Sequence, residues 1–309
     1  MTPRFADYAR TFLVWSEAHH RPATLRLHAH NLATLMPYLG HLRLDKITPG
    51  QVEEFKLARL AERRSGHKWR TPIDERPFVS RASVNRAITT LRRLFSRAAL
   101  EYPELANSLV GVSRFHERGQ MRVISRREES NYLEATRSRN LADVARLMLE
   151  TGMRPSEITG LRASDVDLNR LVVYVAHAER GLAPAVPGKT ENAMRAIPLT
   201  RIAAGILWQR LAQCSGRDSF LFPSKSVSGH VENLVKSHAR CVTRASIRPH
   251  FRLYDLRHTF ATRLAEAGVP LPVISALLGH SSIAMTMRYI HPQEEAMRAA
   301  IAKLDSGAA

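Results

Sequence analysis

The stretch Phe251-Arg-Leu-Tyr-Asp-Leu-Arg-His-Thr-Phe-Ala-Thr262, followed by Leu278-Gly-His-Ser-Ser-Ile-Ala-Met-Thr-Met-Arg-Tyr-Ile-His291, decides the fold. Leu256, Phe260, Leu264 and Ala267 recur at helical spacing, so the first run predicts an amphipathic helix with Arg257 near its start. A second short helix, about 271–278, ends at Gly279, a residue suited to the left-handed turn that closes a helix. His280 follows directly, and Ser281 or Ser282 caps a further helix leading to Tyr289. An arginine, a histidine and a tyrosine thus stand on three successive helix ends, where side chains can converge on one small anion.

Working outward, the 309 residues allow one or two domains, each with its own core. Lys and Arg number 46 against 28 Asp and Glu, a net charge of +18. Residues 1–116 hold 19 basic and 10 acidic groups and the remainder 27 and 18, so the excess is shared by both halves and is not a tail. Such a field concentrates polyanions, nucleic acid before others. Anionic membrane is the rival partner. However, the chain has no 18-residue apolar run and lacks the basic-then-apolar layout of a signal peptide, so no membrane partner and a cytoplasmic location are expected. Cys214 and Cys241 lack metal-ligand spacing and fit a reducing compartment.

Residues 5–39 read as one or two helices, closed by Gly40. Thr48-Pro49 is a helix start, with Thr48 as cap and Pro49 at the first helical position, and the helix is expected to reach about Arg64. Residues 65–80 mix Gly, Pro and charge without periodicity and read as a loop. Ser80 or Ser83 then caps a strong helix through Val84, Ile88, Leu91, Leu94 and Phe95. Arg81 opens that helix, and Arg86, Arg92, Arg93 and Arg97 make its other face basic. A solvated face is the plain explanation of such a run; within a basic domain, phosphate contact is the preferred one.

Residues 113–124 are polar and patternless, a linker between a domain at 1–112 and a second at 125–309. Ser125 to Glu128 has capping-box spacing and opens the second domain. A helix of about 141–150 ends at Gly152; Arg154 stands in the turn, and Pro155 starts the next helix with Glu157 in its first turn. The runs 171–175 and 194–198 predict a small antiparallel sheet with Lys189 at or beside its hairpin. Helices are expected at about 201–213, 230–245, 254–267, 270–278, 282–290 and 292–304.

These motifs resemble the C-terminal signature of the tyrosine site-specific recombinases, the phage-integrase family: His-x-x-Arg, then Leu-Gly-His, then a Tyr nine residues beyond that His. Tyr289 is nine past His280, and one position departs, since Tyr254 stands where the family usually has His. The resemblance implies a mainly α fold. It comprises an N-terminal helical core-binding (SAM-like) domain and a mostly helical catalytic domain with a small antiparallel β-sheet, the DNA breaking-rejoining enzyme fold. Residues 1–112 resemble the core-binding domain less specifically.

By the same resemblance, Arg154 and Arg257 match the two catalytic arginines. Lys189 matches the hairpin lysine that acts as general acid, and His280 the residue that hydrogen-bonds the scissile phosphate. Glu157 matches the acidic residue that orients the site, and Tyr289 is the nucleophile. The implied reaction is transesterification through a 3′-phosphotyrosyl bond, with no metal and no cofactor. A phosphodiester under attack gathers charge on its non-bridging oxygens, and forked Arg donors suit that better than Lys. A phenol with a pKa near 10 must share or lose its proton. Tyr254 is a poor base, so it is expected to donate a hydrogen bond while His280 takes the proton role; His250 and His258 lie nearby in sequence.

The implied partners are double-stranded DNA recombination sites, further copies of the chain in a tetramer of two dimers, and accessory DNA-bending factors. The leading function is a mobile-element integrase, in the bacterial cytoplasm and nucleoid. The alternatives are a Xer-like dimer resolvase, a type IB topoisomerase-like nicking–closing enzyme and a non-catalytic DNA-binding protein. Taken singly, Arg154 pins a turn, Lys189 is a solvated hairpin charge and Tyr289 is core. All six in the family's order make chance a poor explanation, and loss of an Arg or of the Tyr would have favoured the non-catalytic protein.

Overall fold

A computed structural model describes the chain except residues 65–71, 73, 107, 118–120, 176–194, 288 and 290–309. It divides into two compact units, Met1–Gly119 and Gln120–Ala309.

In the first unit, α1 (Phe5–His19), α2 (Pro22–Leu39), α3 (Pro49–Ala61) and α4 (Arg81–Ala98) pack around one apolar core. Phe5, Phe12, Leu35, Val52, Phe55, Ile88 and Leu91 are essentially inaccessible to solvent. Each such side chain contributes roughly 1.5–3 kcal/mol by leaving water. The start of α3 follows its local chemistry: Thr48 Oγ1 accepts from Gln51 N while Gln51 Oε1 accepts from Thr48 N, a reciprocal cap. Ser80, not Ser83, caps α4 by accepting from Ser83 N.

The helix expected to reach Arg64 stops at Ala61. Glu62 turns extended, Arg63 bridges Phe78 in antiparallel fashion, and the Arg63 guanidinium lies 3.7 Å from the Phe78 ring centroid. The end of the expected loop is therefore held in place as well. The basic face of α4 is not uniform. Arg92 donates to the Val112 carbonyl and Arg97 pairs with Glu101 at 3.2 Å, so these two brace the unit, whereas Arg81, Arg86 and Arg93 are exposed.

The residues expected as linker have their own anchors. Asn85 exchanges two 2.8 Å hydrogen bonds with the Phe115 backbone in the first unit. In the second, Ile124 is buried; its N–H donates to Thr259 Oγ1 and its carbonyl accepts from Arg263.

The second unit holds α5 (Arg126–Glu134), α6 (Arg139–Thr151), α7 (Pro155–Thr159), β1 (Val166–Asp167), β2 (Val172–Val175) and β3 (Arg195–Pro198). Then follow α8 (Arg201–Leu211), α9 (Val235–Arg244), α10 (Asp255–Glu266), α11 (Leu271–Leu278) and α12 (Ala284–Met287). The strands form an antiparallel sheet in the order β1-β2-β3, with Val173 opposite both Val166 and Ile197. α6 and α10 pack together over a core that includes Tyr132, Val144, Met148, Ile158, Leu256 and the inward face of the sheet.

The expected helix at 230–245 begins only at Val235. Before it, His230 bridges Pro223, Val231 N donates to the Phe222 carbonyl, and Asn233 Oδ1 accepts from Val235 N at the helix start. Lys189, its hairpin and the expected helix at 292–304 lie outside the described residues. Among the described residues no helix is long and apolar enough to cross a membrane.

Candidate active site

Two sharp turns, at Gly152 and Gly279, bring the site residues together. At the first, α6 ends on Gly152 with φ +65°, where a side chain is disfavoured twice over. The backbone is left-handed, and a Cβ there would sit 2.4 Å from the Phe260 ring. Two residues on, Pro155 keeps Arg154 extended (φ −72°, ψ 150°) at the threshold of α7. Glu157, in the first turn of α7, reaches back: its Oε2 accepts from Arg154 N at 2.7 Å and its Oε1 from Arg154 Nη1 at 2.6 Å.

The same carboxylate is gripped from β3. Arg195 Nη2 donates to Glu157 Oε2 at 2.8 Å and Nη1 to Oε1 at 3.3 Å, while Nε donates to the Leu277 carbonyl at 2.7 Å. Burial alone would raise the Glu157 pKa. The bonds and charge of Arg195, then Arg154, outweigh that and hold it below the usual carboxylate range.

Arg257, in the first turn of α10, is completely buried. It donates through Nη1 to the Gly152 carbonyl at 2.8 Å and through Nη2 to the Leu278 carbonyl at 2.7 Å, and it stands 3.9 Å from Glu157. Desolvation lowers its pKa to about 10, so it stays charged at neutral pH. Its Nε has no partner among the described residues. Folded proteins seldom leave a buried donor in that condition. Three guanidiniums share one carboxylate here, and the surplus positive charge in a largely dry setting favours an incoming anion.

The second turn brings in the rings. Gly279, at φ +64°, closes α11 and sets His280, whose Nδ1 lies 2.8 Å from Thr286 Oγ1. His280 stacks on Tyr289 with centroids 6.1 Å apart and planes 13° apart. Tyr289 is 4% exposed, and its hydroxyl lies 2.9 Å from Nδ1 of His258, itself 4% exposed. His258 meets the ring of Tyr254 edge-on at 5.2 Å. Tyr254, 37% exposed, lies 5.9 Å from the Arg257 guanidinium carbon and adjoins Arg154 through its hydroxyl. A run of contacts therefore joins Arg154 and Arg257 to Tyr254, His258, Tyr289 and His280.

Of the residues singled out in the sequence, Arg154, Glu157, Tyr254, Arg257, His280 and Tyr289 share this neighbourhood, and Lys189 lies outside the described residues. The five α4 arginines belong to the first unit.

Sequence reasoning missed Arg195 and gave His258 no role. A signal existed for each. Arg195 is two residues from buried Ile197 and so on the inward face of its strand, an unusual place for an unpaired arginine. His258 is one turn after Tyr254 and shares its side of α10.

A tyrosine recombinase XerC-like protein of Caldanaerobacter subterraneus subsp. tengcongensis is 27% identical over 200 residues, covering 56% of this chain and 51% of that protein. The transposase from transposon Tn916 of Enterococcus faecalis is 28% identical over 177 residues, 50% of this chain and 43% of the relative. The chain thus spans about half the length of these curated relatives. Among solved structures, the Tn1549 transposon integrase in complex with a circular intermediate DNA matches with a TM-score of 0.75 over 97% of this chain and 99% of that one, at 19% identity. That likeness establishes the mainly helical fold with its small antiparallel sheet. The model of the phage integrase family matches residues 123–296, more than half of the sequence, and the chain belongs to that family.

Proposed function

We propose that this protein is a site-specific DNA recombinase. It cuts and rejoins duplex DNA through a 3′-phosphotyrosyl bond to Tyr289, in the integration or excision of a mobile element. The observation that carries this is the cluster of buried Arg257, nearly buried Arg195 and partly exposed Arg154 around the single carboxylate of Glu157, linked by ring contacts to the Tyr289 phenol. One phosphodiester fits that surplus charge. Arg154 and the orphaned Nε of Arg257 bind the non-bridging oxygens, and Tyr254 donates a further hydrogen bond from its exposed edge. His280 flanks the phosphate, and Lys189, by its family position, protonates the departing 5′-oxygen. Tyr289 is nearly inaccessible, so DNA binding must uncover its hydroxyl.

The substrate is double-stranded DNA carrying recombination sites, on which copies of the chain assemble in a tetrameric synapse, in the cytoplasm. Residues 1–112 serve as the core-binding domain, 113–124 as the connection and 125–309 as the catalytic domain. Exposed Arg81, Arg86 and Arg93 supply phosphate contacts. The likeness to the Tn916 transposase and the Tn1549 integrase supports the mobile-element role. The XerC-like relative supports a second reading, resolution of replicon dimers. Sequencing DNA trapped covalently on the protein separates them: joined element ends support integration, and a chromosomal or plasmid dimer site supports resolution. Tyr254→Phe is expected to slow cleavage, and an inactive Tyr254→His would count against simple equivalence with the family histidine.

A further inference from the structure

We propose that His258 is a catalytic residue, the base that takes the phenolic proton of Tyr289; this rests on the recombinase reading above. The family position for an imidazole on α10 is filled by Tyr254, whose own phenol is a poor proton acceptor at neutral pH. One helical turn further, His258 restores an imidazole on the same side of the helix, with its ring against that of Tyr254. It meets the nucleophile atom to atom: Nδ1 is 2.9 Å from Tyr289 Oη, within reach for direct proton transfer. His280, by contrast, meets Tyr289 as a parallel ring, with its Nδ1 engaged by Thr286. Both members of the His258–Tyr289 pair are almost fully buried in the chain without DNA, so the contact is already formed before substrate arrives.

The step balances as follows. Tyr289 Oη bonds to phosphorus as the bond from phosphorus to the 5′-oxygen breaks. The phenolic proton passes to His258 Nδ1, and the 5′-oxygen takes a proton from a lysine ammonium. On rejoining, the 5′-hydroxyl attacks phosphorus and returns its proton to the lysine amine, while the bond from phosphorus to Tyr289 Oη breaks and the departing phenolate recovers its proton from His258. The resting arrangement therefore has Nδ1 of His258 bare and Nε2 protonated, with the Tyr289 hydroxyl donating.

The test uses the full chain and a nicked suicide duplex in single turnover, with His258→Gln and His258→Asn. Each variant is run on an ordinary phosphodiester and on a 5′-bridging phosphorothiolate, whose thiolate leaves without a proton. Loss of a general base slows covalent cleavage by about 10²-fold or more. The sulfur substrate must not restore the rate, whereas fluorotyrosine at position 289, a more acidic phenol, must shrink the defect. A His258→Gln chain as fast as the wild type overturns the proposal. So does rescue by the thiolate substrate, which moves the role to the leaving group, or a defect unchanged by fluorotyrosine, which leaves only packing. Nitrogen-15 spectra of the unsubstituted chain decide independently of variant folding. An unprotonated Nδ1 that shifts on Tyr289→Phe supports the proposal, and a protonated Nδ1 overturns it. If the wild-type chain makes no adduct at all, the recombinase reading itself fails.

Discussion

Arg195 and Glu157 face each other through paired bonds of 2.8 and 3.3 Å, with side chains only 7% and 9% exposed. One comes from a β-strand and the other from the first turn of a helix, 38 residues apart. Since Glu157 also holds Arg154, and Arg195 holds the Leu277 carbonyl, this pair fixes the frame in which the anion-binding groups sit. Arg195→Ala breaks the buried pair but leaves Glu157 held by Arg154, so its expected cost in urea unfolding is a clear fall in midpoint that stays below the roughly 3–5 kcal/mol of a buried charge left wholly unpaired. An unchanged midpoint would show that the pair is not a structural tie.

The same pair sets a pH dependence. The folded pKa of Glu157 is depressed, so its stabilising contribution is complete above the ordinary value of 4.5 and fades as pH falls through the lower folded value. Unfolding free energy measured between pH 6 and pH 3, on the order of the range in which carboxylates titrate, should decline in the wild type. Glu157→Gln should remove that part of the slope. A slope identical in both chains would assign the acid sensitivity to other carboxylates.

Gly152 has two duties, a left-handed backbone and a carbonyl that receives Arg257. Gly152→Ala adds roughly 1–2 kcal/mol of backbone strain and forces the Phe260 ring, 2.4 Å from the new Cβ, to move. Lower thermal stability and slower DNA cleavage are expected together. An alanine variant with wild-type behaviour in both would contradict the role given to this turn.

The sequence made some of this legible and hid the rest for physical reasons. Thr48-Pro49, the box from Ser125 to Glu128, and the glycines at 152 and 279 announce helix ends because capping is settled by neighbouring residues. β1 went unseen because Val166 and Asp167 are too few for an alternating pattern to show. The contraction of α3 and the late start of α9 arise from pairing with Phe78 and Pro223, partners that local propensity does not contain. His258 and Arg195 acquire their meaning only when α10, α12 and β3 meet the rest of the site.

The α4 arginines divide by what they touch. Arg86→Ala with Arg93→Ala should weaken DNA binding with little loss of stability, since both are exposed. If each contacts a phosphate, the slope of log affinity against log salt should fall by about 1.8 in the double variant. Arg92→Ala, which frees the Val112 carbonyl, should instead lower the unit's stability. Equal salt slopes for the double variant and the wild type would exclude those phosphate contacts.

The most direct measurement is covalent capture on a nicked suicide duplex bearing the recombination site, followed by peptide mapping of the DNA-linked residue. A 3′-phosphotyrosyl adduct at Tyr289, absent from Tyr289→Phe, is the expected result. Strand cleavage and joining that persist in Tyr289→Phe, or an adduct on a different residue, would contradict the account.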